Sequence, residues 1–259
     1  MKIKVTIPTS LEDIKLSQYQ KFLKTTEKSE DNDWINKQIV GIFCNLPDDI
    51  VKKLPKRDFN SIVNSITKVL NEKPELKKII KLNGIEYGFI PNLDEITVGE
   101  QADIDNFVKD WQKMDRVMGI LYRPITYKKD DNYLIEEYRQ EEIVIKERIR
   151  RLEKSSNSYI NRIKIKNNKI KLSKVLEEYK TKYSLDLSMD AVNGSLSFFL
   201  TLLQDLLNCT QSYMSQVVQE PKTSQLLEQN GVGINQFMQS LEVTFLNLRQ
   251  SLDLNYTRL

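Results

Sequence analysis

The sequence offers few places to turn. Glycine occurs 8 times and proline 7 times in 259 residues, and tight turns draw on Gly, Pro, Asn or Asp for their backbone angles. A sandwich or barrel of many short strands needs more such positions, so long helices are expected to carry the fold. Apolar residues make up 40% of the chain and charged residues 29%, the balance of a globular protein rather than a disordered one. The length suffices for one large domain or two small ones.

Local patterns divide the first 126 residues into helices around a small sheet. Lys2-Ile3-Lys4-Val5-Thr6-Ile7 alternates polar and aliphatic residues, which predicts a half-buried strand ended by Pro8. Ser10 or Thr9 is suited to cap a helix from Leu11 to about Lys24. A second helix is expected from about Trp34 to Asn45, and a short segment around Pro47–Val51. A third helix, capped by Asp58, turns Phe59, Ile62, Val63, Ile66 and Leu70 inward and stops before Pro74. Asn83-Gly84 between alternating apolar runs is a strong hairpin signal, because both turn residues tolerate positive φ; it predicts a β-hairpin at 78–90. The strand at 2–7 is a candidate partner for it. Thr97-Val98-Gly99-Glu100 has the form of a capping box. It predicts a helix through Ile104, Phe107, Trp111, Met114 and Leu121, ended by Arg123-Pro124.

The rest divides into a basic segment, 127–184, and a carboxy-terminal helical hairpin, 185–259. A polar connection, Tyr127 to Asn132, leads to a helix from about Leu134 to Glu153, and Ser155–Ser158 forms a break. Residues 159–172 carry both an alternating pattern, Arg162-Ile163-Lys164-Ile165-Lys166, and helical spacing. A strand, or a second hairpin around Asn167-Asn168, therefore stands beside a helix as alternatives. Ser188 or Asp190 is suited to cap a helix over Ala191–Val218, and a last helix runs from Ile234 to about Leu252 after the Gly231-Val232-Gly233 loop. The fold class expected is mainly α, of α+β type.

The chemistry available is narrow. Histidine is absent, which removes the commonest proton-transfer side chain near neutral pH and the commonest zinc ligand. Cys44 and Cys209 lie in apolar stretches and are expected to be buried free thiols in a reducing compartment. Serines and threonines have no recognisable base beside them, and no glycine-rich phosphate loop occurs. Asp94, Glu95, Glu100, Asp103 and Asp105 gather around one helix start, where carboxylates complement the helix dipole; they lack the spacing of a metal loop. No catalytic residue, cofactor or metal is expected, and the chain is not expected to be an enzyme. The apolar run Leu196–Leu207 is interrupted by Gln204 and Asp205, short of the roughly 20 residues a bilayer span needs, so no membrane association is expected.

The net charge of +3 is too mild to argue nucleic-acid binding by itself, but it is unevenly spread. Between Arg139 and Lys182 bases far outnumber acids: Lys146, Arg148, Arg150, Arg151, Lys154, Arg162, Lys164, Lys166, Lys169, Lys171 and Lys174. Such a surface suits an acidic protein partner, phosphates, or solvent alone. Only Tyr159 and Tyr179 supply aromatics for base stacking. The residues singled out for partner or nucleic-acid contact are Arg148, Arg150, Arg151, Arg162, Lys164 and Lys166. Phe198 joins them, because Phe198 and Phe199 are adjacent and cannot share one narrow helix face.

Three blocks carry a family resemblance. They are Leu82-Asn83-Gly84-Ile85-Glu86-Tyr87, then Ile96-Thr97-Val98-Gly99-Glu100-Gln101-Ala102-Asp103-Ile104, then Met118-Gly119-Ile120-Leu121-Tyr122-Arg123-Pro124-Ile125. Together they resemble proteins encoded among the virion genes of tailed bacteriophages of Bacteroidetes hosts, including the crAss-like group. Ala191-x-x-Gly194-x-x-x-Phe198-Phe199, followed by Leu202-Leu203, looks like the same group's carboxy-terminal half. The resemblance spans about half the chain and leaves out the basic stretch 140–182, which reads as an arm or insertion. It implies a virion structural component, such as a neck or tail ring or connector, that packs against other phage structural proteins and against copies of itself as a homo-oligomer. It implies location in the virion, and in the host cytoplasm during assembly. A non-structural tail-assembly chaperone, and a nucleic-acid-binding protein using 139–182, stand as alternatives.

Overall fold

The computed structural model describes residues 5–91, 96–130, 132–155 and 158–217. In chain order the helices are α1 (Leu16–Thr26), α2 (Asn32–Phe43), α3 (Asp48–Val51), α4 (Lys56–Leu70), α5 (Val98–Phe107), α6 (Met114–Leu121), α7 (Gln140–Lys154), α8 (Tyr159–Lys182) and α9 (Met189–Val217). The strands are β1 (Ile79–Leu82), β2 (Ile85–Phe89), β3 (Tyr122–Lys129) and β4 (Asn132–Ile135). The fold is mainly α, with one four-stranded antiparallel sheet in the order β1-β2-β3-β4. The chain groups into two compact units that interleave in sequence: Met1–Lys77 with Asp105–Gln112 and Leu187–Leu259, and Lys78–Ile104 with Lys113–Asp186. The divisions at 126 and 184 expected from the sequence follow chain order instead.

The first unit is built on aromatic side chains at helical spacing. Phe22 of α1 meets Phe43 of α2 with ring centroids 5.4 Å apart, and Tyr19 meets Trp111 edge-on at 5.2 Å. Ile39, Val40, Ile62 and Ile66 close the core from α2 and α4. The Gln20 side chain donates to the Trp111 carbonyl at 2.8 Å, and that of Gln112 donates to the Gln20 carbonyl at 2.9 Å. The start of α9 is tied to the segment before α1: Leu16 N–H donates to the Leu187 carbonyl and Met189 N–H to the Ile14 carbonyl, both at 2.8 Å. Lys77 reaches Glu12 and the buried Asp190. Cys44 is a buried free thiol, and burial pushes it up to about 11.

The second unit holds the sheet. Asn83 (φ 51°) and Gly84 (φ 84°) form the β1–β2 turn, with Leu82 opposite Ile85. Both positive angles match the primed turn that an Asn-Gly pair favours. Pairing of β2 with β3 runs from Phe89 opposite Tyr122 to Tyr87 opposite Pro124 and stops there, at a residue with no N–H to donate. Tyr133 of β4 is buried, and its hydroxyl donates to the Phe89 carbonyl at 2.7 Å. Helix α6 packs so closely on the end of α8 that a Cβ on Gly119 would lie 1.9 Å from the Tyr183 carbonyl oxygen; only glycine fits that contact.

Several sequence expectations need correction. Residues 5–9 are not strand, and the sheet takes β3 and β4 as its further strands; residues 2–4 lie outside the described set. The helix expected over 11–24 is a short 3-10 turn, Leu11–Asp13, followed by α1. Helix α4 starts after Pro55, with Asp58 inside its first turn rather than capping it. The single helix expected after Thr97 is α5, a 3-10 turn Trp111–Lys113 and α6. Of the expected polar connection, Tyr127, Lys128 and Lys129 lie in β3 and Asn132 in β4, as does Leu134, so α7 begins only at Gln140. Residues 159–182 form one helix with no strand or hairpin at Asn167-Asn168. The first helix of the expected carboxy-terminal hairpin is α9; the helix expected at 234–252 lies outside the described residues.

Candidate functional site

The basic segment is a pair of helices. Helix α7 buries Ile145 and Ile149, α8 buries Val175, and Ile165, Leu172 and Tyr179 pack against that cluster. On α8 these positions recur at intervals of seven, three and four residues, one helical face. Ser158 caps α8, its hydroxyl accepting from Asn161 N–H at 3.2 Å. Helix α8 packs along α7.

A polar network fixes the base of the pair. Arg139, in the left-handed region at φ 51°, turns the chain into α7. Its guanidinium bonds Asp103 of α5 at 3.0 Å and Glu142 at 2.5 Å, and Lys146 reaches Glu142 at 2.6 Å. Tyr138 donates to Asp103 at 3.0 Å, and burial raises its phenol above the ordinary range. The Tyr183 ring stacks obliquely on Tyr138 and Tyr179, 4.9 and 5.1 Å away. Burial opposes charge on Glu142, yet hydrogen bonds from Lys146 and Arg139 hold its carboxyl below the ordinary carboxylate value.

Of the acidic group at 94–105, Glu100 and Asp103 make structural contacts. Thr97 N–H donates to Glu100 Oε2 at 2.7 Å and Glu100 N–H to Thr97 Oγ1 at 3.2 Å, completing the capping box. The other oxygen of Glu100 pairs with the buried Arg123 at 2.9 Å. Asp103 serves the Arg139 network, and Asp94 and Glu95 lie outside the described residues. No group of three His, Cys, Asp or Glu side chains among the described residues is arranged to hold a metal ion. No helix among them is long and apolar enough to cross a membrane.

The residues singled out from sequence divide into two sets. Arg150 and Arg151 both turn back to Glu147 of their own helix, at 3.8 and 3.0 Å. Lys169 pairs with Glu153 and Lys171 with Glu141, at 3.3 and 2.9 Å. By contrast, Arg148 on α7 and Arg162, Lys164 and Lys166 on α8 are exposed and pair with no described carboxylate. Phe198 is exposed on α9, its ring perpendicular to that of Phe199 at 6.4 Å.

Sequence reasoning missed a second apolar face on α8. Tyr159 is 77% exposed, Ile160 62%, Ile163 43% and Ile170 49%. They lie on the side of the helix opposite Ile165, Leu172 and Val175, among cations that pair with no described carboxylate. The signal was present in the three- and seven-residue intervals of Ile160, Ile163 and Ile170. The alternating pattern 162–166 obscured it, because one isoleucine of that run faces α7 and the other faces solvent.

The chain matches no protein-family model, and no curated protein or solved structure matches it significantly.

Proposed function

We propose that this chain is a structural component of a tailed-bacteriophage virion, a neck or tail ring or connector protein that acts by protein–protein packing and not as an enzyme. The sequence blocks quoted above point to the phage setting. The observation that carries the packing role is the second face of α8, where isoleucines stand in water among cations with no described counter-charge. Exposed apolar residues grouped on one face mark an interaction surface. A surface made only to follow phosphates has no use for isoleucines between its lysines. Tyr179, one of its two candidate stacking rings, is engaged with Tyr183. Other phage structural proteins and copies of the chain itself are the proposed partners.

Mass spectrometry of purified particles from the producing culture tests this. The expected result is the chain at a fixed copy number, a multiple of a symmetric ring. Abundance in infected cells with absence from particles would overturn the structural role and favour an assembly chaperone. Loss of duplex DNA binding on neutralising Arg162, Lys164 and Lys166 would favour the nucleic-acid alternative.

A further inference from the structure

The exposed face of α8 has a defined periodicity. Ile160, Ile163, Asn167, Ile170 and Lys174 follow intervals of three, four, three and four residues, the a and d positions of a heptad. The inner face, Ile165, Leu172, Val175 and Tyr179, has its own such series and is already packed against α7. Helix α8 thus carries two seams, one filled and one open. The positions flanking the open seam are Lys164 and Lys171 on one side and Tyr159, Lys166 and Ser173 on the other. Lys164 and Lys166 pair with no described carboxylate.

We infer that the outer seam of α8 docks one amphipathic helix of a partner protein, with apolar residues at its own a and d positions and glutamate or aspartate beside them. This rests on reading the α7–α8 pair as a packing surface. The charge of the flanks selects the occupant. A second copy of α8, parallel or antiparallel, sets lysine against lysine along the seam, and like charges there disfavour pairing. An acidic helix turns each of those contacts into an attraction. The shape of the seam agrees: a strict a/d stripe is the narrow seam of a helix pair, whereas a helix lying on a lipid surface presents a broader apolar sector. Asn167 falls at a core a position, where a buried amide fixes register by requiring a polar partner. The partner is therefore expected to offer Asn or Gln opposite it.

The test uses the full chain and two labelled 21-residue helical peptides. Both carry leucine at a and d with one central asparagine at a; one has glutamate at e and g, the other lysine. The glutamate peptide is expected to bind, at least tenfold more weakly in 0.5 M than in 0.05 M salt, and the lysine peptide is expected not to bind. The double variant I163S/I170S should lose at least tenfold in affinity while keeping its circular dichroism spectrum. The double variant K164E/K166E should reverse the preference to the lysine peptide. Equal binding of both peptides, or undiminished binding by I163S/I170S, overturns the inference. So does self-association that I163S/I170S abolishes, or binding to phosphatidylglycerol vesicles or duplex DNA with none to the glutamate peptide. A chain present in particles at fixed copy number that ignores the peptide loses this inference and keeps the virion role; a chain absent from particles that binds it does the reverse.

Discussion

Helices α4 and α8 are both long and both rich in aliphatic residues, yet they use them differently. Helix α4 buries Ile62, Ile66, Val69 and Leu70 on one face and leaves Asn60, Ser61, Asn64, Ser65 and Lys68 in solvent. Its apolar stripe is consumed within its own unit. Helix α8 buries one stripe against α7 and exposes another of nearly equal length. The removal of apolar area from water drives packing in both cases, but only α8 keeps such area exposed. The one apolar stripe of α4 is buried, while the second stripe of α8 stays exposed.

The largest expected effect separates these cases directly. Phe22 is fully buried in the first unit, and Phe22→Ala should cost about 3–5 kcal/mol. Tryptophan fluorescence during urea unfolding reads it, since Trp34 and Trp111 both belong to that unit. Ile163→Ala, on the open seam, should change stability by no more than about 0.5 kcal/mol. A cost for Ile163 comparable to that for Phe22 would mean the outer face of α8 is covered within the monomer, and the contrast would fail.

The same contrast holds for charge. Glu100→Ala leaves the buried Arg123 without its counter-charge and removes the side chain that receives Thr97 N–H. It should cost about 3 kcal/mol and expose α5 amides to hydrogen exchange. Lys166→Ala, whose ammonium pairs with no described group, should leave that exchange unchanged. On the α7 side of the packed seam, trimming one methyl by Ile145→Val should cost about 1 kcal/mol, seen as faster exchange in α7 and α8. An effect near zero would show that the helix pair is loosely packed on both faces.

The smallest effect sharpens the comparison at the base of the pair. Because the folded carboxyl of Glu142 titrates below its ordinary value, the stability it adds is present above the ordinary carboxylate range. That stability is lost as pH falls through the lowered folded value. Protection of α7 amides should therefore fall on acidification, and Glu142→Gln should flatten that dependence. A dependence that persists unchanged in Glu142→Gln would assign the titration to another group.

The elements legible in the sequence were those whose cause lies within a few residues. Asn83 and Gly84 both take positive φ, a region these two residue types tolerate on local grounds. Thr97 and Glu100 satisfy each other's amides across three residues. Pro124 was expected to end a helix, but α6 stops earlier, at Leu121, and Pro124 lies inside β3. The β3–β4 hairpin escaped notice because its residues are polar toward the turn and its anchor is distant: Tyr133 reaches the Phe89 carbonyl. The Asp103–Arg139 pair, 36 residues apart, left no local signal at all.

For the candidate surface, the sequence by itself determined that bases would gather between 139 and 182 and that isoleucines would lie among them. Helical spacing and charge are properties of neighbouring residues, and neighbours are fixed by the chain. Tertiary structure decided the rest. Contact with α7 chose helix over strand for 159–172, because Ile165, Leu172 and Val175 reach one partner only at helical spacing. That choice turned Ile160, Ile163 and Ile170 outward. It also spent Lys169 and Lys171 on carboxylates of α7, leaving Arg162, Lys164 and Lys166 exposed beside the open seam. Arg150 and Arg151 find Glu147 at helical spacing within α7, but which lysines of α8 remain available depends on which α7 carboxylates come within ion-pairing distance, and the packed helices set those distances.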